Sequence, residues 1–370
     1  MDAYAAPRTA QRLLVIMIGL LDTMDAQQRS VVVMPFDDQR RTDWDIIPRP
    51  DPSGLALHFF DRHQRVLIQE LLAAALTTRT YTKTLAIRQL EHVLRAEEAD
   101  FLGPAAQTWR TSDSYRLAVF GRPGFEDTWG FRFLGHHVCI NITVVQERWI
   151  SATPSALGQQ PVDYDGVLRP LADDESLGFE LLGCLDDDQR AAAIVHDVAP
   201  ADFVTRQVPH VGAFEYPDYY DLGMPQYTIT AADRVALKLV RDSPTGVGAD
   251  RLGTEQQAIL DRLVDTFLHR HPAETQEHHR AAYVATPRSE VHFAWAGGTT
   301  RGTPHYFRVQ TPTFLIELVN AVNSGQHIHS VLRDLDNDFG HNLLTAAAAA
   351  DDHHLLTRTT SSADLDPGLE

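Results

Sequence analysis

Two histidines one residue apart in an extended strand present both imidazoles to the same side. His327-Ile328-His329 stands in that relation, with Ile328 and Ser330 turned the other way. Buried together without a partner, two imidazoles are costly and repel once protonated, whereas one metal ion satisfies both. The preceding stretch, Phe314 to Val319, reads as a strand with Phe314, Ile316 and Leu318 on one face. Glu317 falls on the opposite face beside Leu315 and Val319. A carboxylate in such apolar company is expensive to bury unless it is paired or bound to a cation. The pattern predicts a metal centre with His327 and His329 as ligands. Glu317 would be a further ligand, or a general base on a metal-bound water.

A second source of imidazole is Gly135-His136-His137, followed by VCINITV. Alternation sets His137, Cys139, Asn141 and Thr143 on one side and Val138, Ile140 and Ile142 on the other, which favours His137 over His136 as the residue facing a cavity. A bulge at Gly135 would exchange them. Either histidine taken alone is equally well a hydrogen-bonded core residue. Three or four such ligands with one open position suit Zn, Fe(II) or Cu. An all-nitrogen set leans to copper, and two histidines with one carboxylate lean to non-haem iron and oxygen chemistry.

Arg333 follows in the same segment and either pairs with Glu317 or meets an anionic substrate. Trp295, Tyr306, Arg308 and Asn141 are candidates to line a pocket for a small organic molecule, Trp295 being equally at home in a core. The acidic run Asp334-Leu-Asp336-Asn-Asp338 lacks the twelve-residue calcium-loop pattern and its terminal Glu, so Asp338 and Gly340 are read as turn residues. His269, His271, His278, His279, His353 and His354 sit in polar or helical contexts and are read as surface residues. His-Glu-x-x-His, Gly-x-Ser-x-Gly, a phosphate-binding loop and Gly-x-Gly-x-x-Gly do not occur.

The elements that must position these residues can be read from caps and periodicity. Leu13, Leu14, Met17, Leu20, Leu21 and Met24 form a helical stripe, which favours a core helix over a signal segment, since Asp22 and Asp25 stand where cleavage-site residues belong. Asp25/Gln28, Asp61/Gln64, Asp186/Gln189 and Thr254/Gln257 have capping-box spacing and mark four helix starts. After Ser114 the chain turns rich in β-formers, and again from Glu290. The expectation is an α+β fold, helices packed on a largely antiparallel sheet. Residues 1–100 are mainly helical, 114–153 and 290–335 strand-rich, 1–357 a single domain, and 358–370 a disordered tail.

Composition narrows the partners. A net charge of -18 on 370 residues argues against nucleic acid and against anionic membrane surfaces. Two cysteines, Cys139 and Cys184, make neither a disulfide scaffold nor a Cys-rich zinc site, which points to a cytoplasmic protein.

Several segments also resemble a known family, the domain of unknown function 3500. They are FDDQRRTDWDIIPRP, GLALHFFDRHQRVLIQELLAAAL, WGFRFLGHHVCINITVV, VHFAWAGG, HYFRVQTPTFLIEL and HIHSVLRD. The resemblance places Gly135-His136-His137, Glu317, His327, His329 and Arg333 within family motifs and carries no assigned reaction. This chain departs from the family pattern at Ile316-Glu317-Leu318-Val319, where the family has a second acidic residue. It departs again after Leu343-Leu344, where an alanine tract replaces an early histidine. The expected function is a metal-dependent enzyme, an oxidoreductase or oxygenase acting on a small organic molecule. A metal-dependent hydrolase and a non-catalytic small-molecule binder are the alternatives.

Overall fold

The computed structural model describes residues 2–48, 52–104, 109–205, 208–212 and 231–349; the expected tail lies outside them. The N-terminal strands are β1 (Val33–Met34), β2 (Leu55–Ala56), β3 (Arg116–Phe120), β4 (Thr128–Gly135), β5 (Val138–Val145), β6 (Trp149–Ser151) and β7 (Ser155–Gln159). Then come β8 (Ile194–His196), β9 (Val247–Gly248), β10 (His292–Gly297), β11 (His305–Gln310), β12 (Phe314–Val322) and β13 (His327–Asp334). All join one sheet in the order β1-β3-β4-β5-β7-β13-β12-β11-β10-β8, with β2, β6 and β9 beside β3, β5 and β10. Among these pairs β1/β3 and β8/β10 run parallel and the rest antiparallel, so the fold is α+β on a mostly antiparallel sheet.

Two meanders, β3-β4-β5 and β10-β11-β12-β13, lie side by side because β7 pairs with β5 on one edge and β13 on the other. This juxtaposition brings the two histidine segments together.

The two faces of the sheet are covered differently. One carries Phe131, Phe133, Ile140, Ile316, Leu318 and Leu332 beneath the helices Pro7–Asp22, Arg62–Ala75, Ala172–Cys184 and Thr254–Leu268. The other carries Cys139, Ala156, Tyr306, Leu315, Val319 and Val331 and is covered by Trp44, Ile46, Phe203, Val204 and Leu239. Most of that second cover is irregular chain. Its backbone groups have no ladder of their own, so polar side chains from the sheet must satisfy them.

The helix Pro7–Asp22 buries Leu13, Leu14, Met17, Leu20 and Leu21, the stripe that the spacing predicts. Capping boxes close at Asp25, Asp61 and Asp186. At the fourth start the cap moves back by one residue and only half of the box forms. Gly253 is the N-cap and its N–H donates to Gln256 Oε1 at 2.7 Å, which leaves Thr254 inside the helix. No described helix is long and apolar enough to cross a membrane.

Candidate metal centre

Gly135 pairs with Val138, so His136 and His137 form the two-residue turn between β4 and β5 rather than a continuation of the strand. The expected alternation from His137 through Asn141 is thereby corrected: it begins only at Val138. His137 has φ 65°, in the left-handed region where a non-glycine residue needs outside support. Support comes from both sides. The His137 N–H donates to Ile46 O at 2.7 Å, and the Gly158 N–H donates to His137 O at 2.7 Å. Gly158 also supplies the space for the ring, because a Cβ there would stand 2.6 Å from His137 Cδ2.

On β13, His329 pairs with Gly158 of β7 and with Val319 of β12. His327 and His329 project to one side, as alternation requires, with 3.0 Å between their Nε2 atoms. His137 completes the convergence: its Nε2 lies 2.6 Å from His327 Nε2. His136 stacks on His137 with ring centroids 3.6 Å apart. Ligand atoms of His136, His137 and His327 lie within 4.8 Å of one another, a group that can hold a metal ion. Donors at about 2.0–2.1 Å from one tetrahedral ion sit about 3.3 Å apart, so the Nε2 pairs at 2.6 and 3.0 Å must part slightly to take one.

Two carboxylates orient the rings. His329 Nδ1 is 2.9 Å from Asp202 Oδ1, and His136 Nδ1 is 2.5 Å from Glu91 Oε1. A carboxylate only accepts, so His329 Nδ1 carries the proton and its Nε2 turns a lone pair toward His327. Arg110 ties this second pair down through Glu91 and Glu98, at 3.3 and 2.8 Å, and reaches within 2.5 Å of His136 Nδ1. Burial, reinforced by the neighbouring imidazoles, holds His137 and His327 well below the ordinary imidazole range. Burial lowers His136 too, against the pull of Glu91. Neutral rings are the form that binds a metal.

His136 also forms part of the wall of a cleft of about 510 Å³. Ile47, Pro48, Trp109, Tyr115 and Leu134 line it together with the polar side chains of His58, Glu91, Arg116 and His136.

The remaining sequence candidates occupy other places. Glu317 shares a face with His329, but its oxygens accept from Val204 N at 2.7 Å, Tyr306 OH at 3.0 Å, and Thr205 through both N–H and Oγ1. Burial pushes its carboxyl above the usual range, opposed by the Thr205, Tyr306 and Val204 hydrogen bonds. Arg333 pairs with Asp338 at 2.5 Å, donates to Val208 O at 2.7 Å and lies over the Trp44 ring. Arg308 donates to Leu237 O and Thr245 Oγ1, at 2.8 and 2.5 Å. Asn141 accepts from Arg132 at 2.7 Å and donates to Pro154 O at 2.8 Å. Trp295 belongs to the helix-side core, stacked on His305 and Phe307.

Two of the histidines read as surface residues are in fact buried. His271 lies 3.1 Å from Ala75 O and His279 3.0 Å from Asp334 Oδ2, because helix packing covers positions whose sequence neighbours are polar. His353 and His354 lie outside the described residues.

Asp202, Glu91 and Gly158 were not singled out from the sequence. Glu91 did leave a trace: it stands among Ile87, Leu90 and Leu94 on the buried side of the helix Thr78–Glu97, where an acidic residue needs a partner. Asp202 lies in irregular chain and has no periodic signature.

No curated protein and no solved structure matches the chain. A family model does, over residues 7–341, and the chain therefore belongs to the family described as protein of unknown function (DUF3500).

Proposed function

We propose that this protein is a metal-dependent enzyme in which His137, His327 and His329 hold one transition-metal ion. The observation that carries this reading is that His327 Nε2 lies 2.6 Å from His137 Nε2 and 3.0 Å from His329 Nε2, with rings drawn from two distant segments and His329 met from behind by Asp202. His136 flanks the ion on the side of the cleft, either as a fourth ligand or as a partner for a bound molecule. The donor set supports copper or zinc more than iron, because the one nearby carboxylate of the sequence motif, Glu317, is engaged by Thr205, Val204 and Tyr306.

An all-imidazole set with an open position suits copper redox chemistry, and the apolar cleft suits a small uncharged or aromatic substrate. On these grounds we read the protein as an oxidoreductase rather than a hydrolase. The test is metal analysis of protein purified without chelator, followed by oxygen uptake with a reductant. Stoichiometric copper and reductant-dependent uptake are expected. Zinc with no oxygen consumption would move the reading to hydrolysis, and absence of any bound metal would remove it.

A further inference from the structure

We infer that Glu317 is a positioning residue for the metal centre, acting through the segment that carries Asp202. This inference rests on the metal reading above. Glu317 and His329 project from adjacent strands onto the same face, since Val319 pairs with His329 and Glu317 with Val331. Residues 201–205 lie over both and belong to neither helix nor strand. Asp202 meets His329 Nδ1 at 2.9 Å, and the Phe203 ring centroid is 5.8 Å from that of His329. The next two residues, Val204 and Thr205, donate to Glu317 through their backbone N–H groups, and Thr205 adds its hydroxyl. Tyr306 OH, from β11, donates to the same carboxylate at 3.0 Å.

An irregular segment has no ladder to hold its register against the sheet, so Asp202 needs an external anchor to stay in line with an imidazole. Glu317 supplies such an anchor through Val204 and Thr205, which lie two and three residues beyond Asp202. It is fully buried, where a carboxylate is expensive. Four donors converging on one group, three of them from the segment that carries Asp202, give the charge a use that a neutral acceptor would serve less well. The anchored object is an orienting residue of the metal site.

The test uses the full chain, freed of metal and titrated with Cu(II), read by competition affinity and by electron paramagnetic resonance of the bound ion. Glu317→Gln is expected to weaken Cu(II) about tenfold and to shift the spectrum in the same sense as Asp202→Asn. The double variant should bind no more weakly than Asp202→Asn alone, because both changes act on one orienting contact. Thr205→Ala should move affinity and spectrum in that direction and Thr205→Ser should restore them; this pair decides the matter if Glu317→Gln does not fold. Tyr4→Phe, which removes a remote hydrogen bond to Asp334, should lower stability and leave both metal readouts unchanged. Wild-type affinity and spectrum in Glu317→Gln, with Asp202→Asn altered, would overturn the inference and leave the metal site standing. A wild-type chain that binds neither Cu(II) nor Zn(II) would overturn both.

Discussion

His137 Nε2 and His327 Nε2 lie 2.6 Å apart although 190 positions separate them in the chain. Their meeting depends on β7, the strand between the two meanders, whose Gly158 touches the His137 ring and pairs with His329. Two neutral rings at this distance can share one proton, and a metal ion can take its place.

Replacing either β13 histidine tests the ligand set directly. His327→Ala and His329→Ala should each lose bound metal while the far-ultraviolet circular dichroism of the protein is retained. Unchanged metal content in both variants would reject their assignment as ligands.

Gly158→Ala should act on the site without removing any ligand. The added methyl would stand 2.6 Å from His137 Cδ2 and 2.9 Å from Ile328 O, so the ring must move. Overpacking of this kind costs about 1–3 kcal/mol, and the measured stability should fall by that amount. Metal affinity should fall with it. A variant with wild-type affinity would show that His137 is free to shift and does not define the site.

Arg110 sits between two carboxylates, Glu91 and Glu98, and is 6% exposed. Arg110→Leu strands Glu91 in a buried position and should cost about 3–5 kcal/mol in urea unfolding. Arg110→Leu combined with Glu91→Leu should recover part of that loss, since no unpaired charge then remains at position 91. Equal stability of the single and double variants would contradict this account.

Asp334 predicts a pH dependence. Burial raises its carboxyl, but His279, the Asp336 N–H and Tyr4 outweigh burial and hold it below the ordinary aspartate range. A carboxyl whose folded pKa lies below its unfolded value adds stability above about pH 4, and that contribution disappears as the pH falls further. Asp334→Asn should therefore lower the melting temperature at pH 7, and its difference from wild type should shrink below about pH 4. A difference that stays constant across that range would refute the linkage.

The pairing of His327 with His329 could be read in the chain because strand alternation is local. His327 and His329 share a face whatever the rest of the protein does, and their spacing alone marks them as a pair. Asn141, Arg308, Glu317 and Arg333 lie in the same kind of pattern, but their partners come from distant irregular chain: Pro154, Leu237, Thr205 and Val208. An inward polar residue that lines a pocket and one that anchors a covering loop have the same sequence signature. Only the cover distinguishes them.

Local chemistry determined the strands, the capped helix starts, the α+β class and the two histidine segments, since each depends on residues a few positions apart. Tertiary structure decided what those segments do together. It turned His136 and His137 into a hairpin turn, set them against β13 across a glycine, and brought Asp202 and Glu91 in behind the rings. Such contacts join residues whose separation in sequence carries no periodic signal, so they exist only once the sheet has closed around β7.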